Sequence, residues 1–192
     1  YTRLEKPADS MVAYRKTLEL EPTFAPAFFE LGVAYYNAGD YNDAATAYRE
    51  TIKNDPGNSQ AHANLASTYR QLERYPEANA EYKAASEGIK SPDLYSEWGY
   101  CLGKVNDWNA SADRLITAHE LSPTAIDSSN VGWAYYNAAQ SDKAGNNEAE
   151  AKAKLEKAKP YLLQAVEKDP KFDAAYLNLG STYNGLGEFQ LA

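Results

Sequence analysis

The side chains best equipped for chemistry in this 192-residue chain are few: His62, His119 and the lone cysteine Cys101. A zinc site needs three or four His, Cys or carboxylate ligands at recognisable spacing, which these three do not supply. A single cysteine also leaves no intrachain disulfide, so the redox compartment stays open. The acids are scattered, and no pair falls together for general acid–base work. Gly185-Leu186-Gly187 follows no strand and reads as a turn between helices, not a nucleotide fingerprint. Asn109-Ala110-Ser111 fits a glycosylation acceptor, a triplet short enough to arise by chance. No catalytic residue, metal or cofactor is expected, and the chain does not read as an enzyme.

Composition narrows the classes further. The formal net charge is −8 and no run of Lys and Arg occurs, which disfavours nucleic acid and anionic membrane surfaces. No stretch approaches the ~18 apolar residues of a membrane span. The chain reads as soluble, with cytoplasm and periplasm equally open. It starts at Tyr1 rather than Met, so a targeting segment removed upstream also remains open. The 16 tyrosines against 5 phenylalanines suit a thin layered fold, because Tyr joins an apolar body to a polar tip.

The elements that would position these residues emerge from an internal repeat. Phe28-x2-Leu31-Gly32-x2-Tyr35 recurs as His62-x2-Leu65-Ala66-x2-Tyr69 and Tyr95-x2-Trp98-Gly99-x2-Leu102. Two more copies are Ser128-x2-Val131-Gly132-x2-Tyr135 and Tyr176-x2-Leu179-Gly180-x2-Tyr183. Spacings of three and four place these residues on one face of a helix. Twelve residues beyond Gly32, Ala66, Gly99 and Gly180 stand Ala44, Ala78, Ser111 and Ala192. Tyr48, Tyr82 and Leu115 follow four residues after the first three, on the apolar face of a second helix. Small residues at the crossing let two antiparallel helices approach closely. Pro22, Pro56, Pro123 and Pro170 close the second helices. Gly39 and Gly187 are candidate left-handed terminators, and Asp40 offers an N-cap oxygen.

The spacing predicts helix pairs over 25–37/41–54, 59–72/76–88, 92–105/108–121 and 125–144/147–168, then a helix over 173–185. From Gly132 to Ala158 the interval is 26 residues instead of 12, an insertion of 14 near 140–153. Fourteen residues make about four turns, so two extra turns on each helix keep both faces in phase. Gly145 can end the first helix, and Asn147 with Glu150 has the form of a capping box. Pro160 predicts a kink, or a break near Ala158. The insertion reads as a solvated protrusion or, alternatively, as a second contact site.

These residues resemble the tetratricopeptide motif, W-x2-L-G-x2-Y…A-x3-F…P, which residues 25–58 match throughout. His62 and Ser128 depart from it at the large aromatic, Lys90 at the proline, and Ser10 and Ser111 at the alanine. The resemblance implies an all-α, right-handed superhelical solenoid of antiparallel helix pairs over residues 1–192. Four full repeats (25–58, 59–91, 92–124, and 125–172 with the insertion) are flanked by partial ones at 1–24 and 173–192. Both ends resemble half-repeats, which reads as an excerpt of a longer or processed protein.

Proteins of this kind hold a peptide or partner helix on a concave wall made by the first helices. By helical phase that wall carries Phe29, Val33, Tyr36, Asn37, Ala63, Ser67, Arg70 and Gln71. It continues with Ser96, Tyr100, Lys104, Ser129, Trp133, Tyr136 and Asn137, then Leu177, Ser181 and Asn184. The aromatics with Arg70 and Lys104 have the composition of an interface centre. One subclass clamps a chaperone tail's carboxylate with Lys and Asn. The matching places here hold Phe29, Val33, Ala63, Ser67, Ser96 and Tyr100, so that clamp is not expected. The expected function is an adaptor for an apolar or aromatic-rich protein segment. Two alternatives are the substrate-recruiting segment of a larger enzyme, and head-to-tail self-assembly through terminal half-repeats.

Overall fold

The computed structural model describes residues 7–191, with side chains from Ser10 onward. Among the described residues there are ten helices and no strand. They are α1 (Pro7–Leu20), α2 (Ala25–Ala38), α3 (Tyr41–Asn54), α4 (Ser59–Gln71) and α5 (Tyr75–Ala85). Then come α6 (Pro92–Lys104), α7 (Trp108–Leu121), α8 (Ala125–Ala144), α9 (Glu148–Lys168) and α10 (Asp173–Leu186). The chain forms two compact units that divide between Lys90 and Ser91. Within each, every helix packs on the next in sequence, and first helices also touch across a repeat: α2 with α4, α6 with α8, α8 with α10.

The helix crossings follow the small residues. A Cβ placed on Gly32 would fall 2.6 Å from the Tyr48 ring, and one on Gly99 would fall 2.6 Å from Leu115 Cγ. At Gly132 the side chain in that place is Leu162, four residues after Ala158. That contact fixes the register across the insertion: Leu162 corresponds to Tyr48 and Leu115. Ser111, standing where the motif has alanine, donates its hydroxyl to the Gly99 carbonyl at 2.7 Å. The crossing therefore keeps a satisfied polar group. Ala192, the corresponding small residue of the last repeat, lies outside the described residues.

All five turns from first to second helix share one geometry. Gly39, Glu73, Asn106, Asn146 and Gly187 each have positive φ. The next N–H reaches back to the helix: Asp40 to the Tyr35 carbonyl, Arg74 to Tyr69, Asp107 to Leu102, Asn147 to Asp142 and Glu188 to Tyr183, at 2.8–3.0 Å. This is the bonding that satisfies the last orphan carbonyls of a helix. Glycine serves Gly39 and Gly187 because it lacks the Cβ that penalises this conformation. In the insertion the left-handed position is Asn146 rather than Gly145, whose φ is −85°.

Capping differs from the sequence expectation. Asp40 and Asn147 make no side-chain cap bond. The side-chain caps are Asn58, Ser91, Asp107 and Thr124. Pro160 does not break α9, which stays helical from Glu148 to Lys168. A proline on the exposed side deprives one turn of its bond while the buried side, with Ala158 and Leu162, remains packed. The fifth helix ends at Ala85, earlier than its spacing suggested.

The insertion is more than a solvated protrusion. Two turns on each helix bring Ala139, Ala151 and Leu155 together, with Tyr136 and Leu186 packed against them. Lys154 pairs with Asp142 at 2.7 Å between α8 and α9. The tip, residues 144–150, is an unbroken exposed stretch.

Candidate partner-binding faces

In the first unit, α2 and α4 lie side by side and the helical period sends every third or fourth residue to their common face. Four of the predicted wall residues, Val33, Tyr36, Asn37 and Ser67, line one cavity of about 230 Å³ there. Tyr36 meets Tyr41 edge to face at 5.3 Å and accepts a hydrogen bond from Gln71 Nε2 at 3.3 Å. Phe29 meets Tyr48 edge to face at 5.8 Å. Arg70 is half-buried on the same helix as Gln71.

Two cavity residues were missed by the sequence reading: Tyr48 and Asn64. Tyr48 belongs to α3 and is 1% exposed, so helical phase assigns it to the core. The available signal was chemical. A tyrosine where the motif has phenylalanine brings a hydroxyl through the crossing, and a buried hydroxyl needs a polar neighbour. Here Asn64 Nδ2 donates to Tyr48 Oη at 3.4 Å, and the equivalent Tyr82 hydroxyl lies 3.3 Å from Ser67 Oγ. Burial, ahead of smaller effects of neighbouring groups, pushes the Tyr48 phenol up to about 12.

Glu81, which the period places away from the wall, is not an idle surface acid. Its carboxylate lies 2.6 Å from His62 Nδ1, while His62 Nε2 faces the Pro56 carbonyl at 3.2 Å. His62 thus replaces a packed aromatic with a polar link between α4 and α5.

In the second unit the wall residues divide. On α6, Tyr100 is 41% exposed and Lys104 stands over its ring at 5.1 Å. Ser96 donates to Asp127 at 3.2 Å, joining α6 to α8. On α8, Ser129 is buried at 3% exposure, so its small side chain is covered and offers no surface to a partner. Trp133 packs on a core of Ala112, Leu115, Val131 and Ala134, edge-on to Trp108 at 5.1 Å and against Gly103. Tyr136 joins the insertion cluster, and Asn137 donates to the Trp133 carbonyl at 2.8 Å. The exposed aromatic character of this face therefore rests mainly on Tyr100.

Among the described residues no group of three His, Cys, Asp or Glu could hold a metal, and no helix is long and apolar enough to cross a membrane.

Helix pairs crossing at small residues, five turns of one geometry and neighbouring first helices define the tetratricopeptide type of helical repeat fold. The family model for the tetratricopeptide repeat matches residues 5–92. Among solved structures it is similar to YrrB, described as a tetratricopeptide repeat protein with an unusual peptide-binding site. The TM-score is 0.77 at 20% identity, over 93% of this chain and 85% of that one. A MamA structure matches with a TM-score of 0.68 at 21% identity, covering 86% of this chain and 84% of the other. MamA from Desulfovibrio magneticus gives 0.68 at 15% identity, over 88% and 89%. At these identities the likeness is one of fold. No curated protein matches the sequence.

Proposed function

We propose that this chain is a protein-interaction scaffold that holds a peptide or helix of a partner on its first-helix faces. One observation carries the reading: Val33, Tyr36, Asn37 and Ser67, chosen by helical phase alone, line a single cavity between α2 and α4. Concave sites with a few convergent polar groups are where ligands are held. The peptide-binding site named for YrrB supports the same reading by likeness of fold. In the second unit the exposed Tyr100 with Lys104 is the corresponding contact, and Arg70 and Gln71 flank the first.

The test is a random peptide library displayed against the intact chain, followed by affinities of selected peptides for the parent, Tyr36→Ala and Tyr100→Ala. Peptides should be enriched, and at least one of the two variants should weaken their binding by ~1–2 kcal/mol with circular dichroism unchanged. Binding indifferent to both variants would reject the first-helix faces as the site.

A second reading, association of copies, draws on the exposed Tyr176 and Leu177 of α10 with Phe189 and Leu191 after it. Sedimentation over a range of concentrations decides it, and a monomer throughout sinks it.

A further inference from the structure

The cavity between α2 and α4 has a chemistry that narrows its occupant. Its lining, Val33, Tyr36, Asn37, Tyr48, Asn64 and Ser67, contains neither a carboxylate nor a cation. The inner wall is Tyr48, whose ring is held between Gly32 and Phe29. The Tyr48 hydroxyl oxygen accepts from Asn64, whose own amide oxygen is oriented by a bond from Gln60 at 2.9 Å. Among the described residues nothing accepts the Tyr48 hydroxyl proton, although the residue is 1% exposed. Tyr36 repeats the pattern: its oxygen accepts from Gln71, and no described residue accepts its proton. The Asn37 amide, at the rim, makes no hydrogen bond among the described residues and offers both a donor and an acceptor.

Two phenolic donors and one amide set the terms for a ligand. An apolar side chain would strand the buried Tyr48 donor, which then loses its hydrogen bond to water with nothing in exchange. A carboxylate would satisfy the donors but would enter without a neutralising cation, close enough to Glu30 for that charge to act on Tyr48. A neutral group with a strong carbonyl acceptor and an N–H donor meets every requirement. A main-chain amide has that chemistry too, but a cavity of about 230 Å³ receding to a second-helix residue admits a whole side chain.

We infer that this cavity receives the carboxamide side chain of a glutamine or asparagine in the bound peptide. The carboxamide oxygen accepts from Tyr48 and Tyr36, and its NH₂ group donates to Asn37. The inference rests on the scaffold reading above and specifies the chemistry of its partner.

The experiment sets Tyr48→Phe beside the parent in the same peptide display. The variant keeps the ring that packs on Gly32 and loses only the hydroxyl. Circular dichroism and the melting temperature verify that it folds. Peptides selected on the parent should share a Gln or Asn at one position. In synthetic copies, changing that residue to Leu or Glu should weaken binding to the parent about tenfold. Tyr48→Phe should bind the Gln and Leu peptides with closely similar affinity. Peptides whose binding depends on Tyr36 but shows no carboxamide preference would overturn the inference and leave the scaffold reading standing. So would a preference that survives in Tyr48→Phe. If no selected peptide depends on Tyr36 or Tyr100, the scaffold reading fails and this inference falls with it.

Discussion

Tyrosine at the crossing positions 48 and 82 gives this chain polar tips where helices meet, and at the first of these crossings Gly32 makes room for the ring. The tightness of that fit is testable at Gly99, where a Cβ would fall 2.6 Å from Leu115 and 3.2 Å from the Ser111 carbonyl. Gly99→Leu should lower stability by at least ~1–3 kcal/mol through overpacking, visible as a lower thermal midpoint. Trp133 and Tyr100 separate packing from recognition. Trp133→Ala removes a ring from the α7–α8 core and should cost ~2 kcal/mol or more in denaturant unfolding. Tyr100→Ala, on an exposed ring, should cost well under 1 kcal/mol. Lys83→Ala, at an exposed position of α5, should leave stability within about 0.5 kcal/mol of the parent. His119 supplies a pH dependence. Burial, then the Lys168 charge, holds its imidazole below the ordinary 6.5. The unfolded chain therefore takes up a proton near 6.5 that the folded unit does not, so this contribution to stability is complete above about 6.5 and declines as pH falls. His119→Gln should reduce the loss of melting temperature between about pH 7.5 and about pH 5.5. An unchanged pH profile would remove His119 as its source.

At the scale of elements, the lengthened α8–α9 pair shows how a repeat absorbs fourteen residues without losing its register. Whole turns added to both helices return Gly132 to Leu162, and the added turns build their own small core around Leu155. Deleting residues 140–153 should leave a folded helical unit. It should also lose ~2 kcal/mol or more, because Ala151 is gone, Leu155 is displaced and Ala139 must occupy the left-handed turn position. Ala139→Gly in the deleted chain should recover part of that loss, on the order of 1 kcal/mol, by urea titration. Failure of the glycine to help would mean that the turn re-forms with another geometry. Five turns of one design, only two with glycine, also show that Schellman-type bonding matters more than residue identity there.

For the molecule as a whole, the charge of −8 and the uncharged cavity make different statements about partners. Net charge governs encounter and tolerance of other polyanions, whereas a neutral lining gains little from an ionic partner. Binding of a carboxamide peptide at the α2–α4 face should therefore change less than about threefold between ~0.05 and ~0.5 M salt. A steep loss of affinity with salt, measured by titration calorimetry, would place charged contacts such as Arg70 at the centre of recognition.

Periodicity in the sequence determined the helices, their pairing and even the phase of the insertion, because those follow from spacings within one turn or one hairpin. Boundaries such as 125–144 and 41–54 agree with α8 and α3 for that reason. Spacing also picked Val33, Tyr36, Asn37 and Ser67, neighbours on adjacent first helices. It did not place Tyr48 and Asn64 in the same cavity, since their contact spans sixteen residues and two elements. Nor did it remove Ser129 from the wall or bury Trp133 against Trp108. A helical period says which residues share a face. Which of them a neighbouring helix then covers depends on helix separation and side-chain volume at the crossing, and those exist only once the pairs have packed.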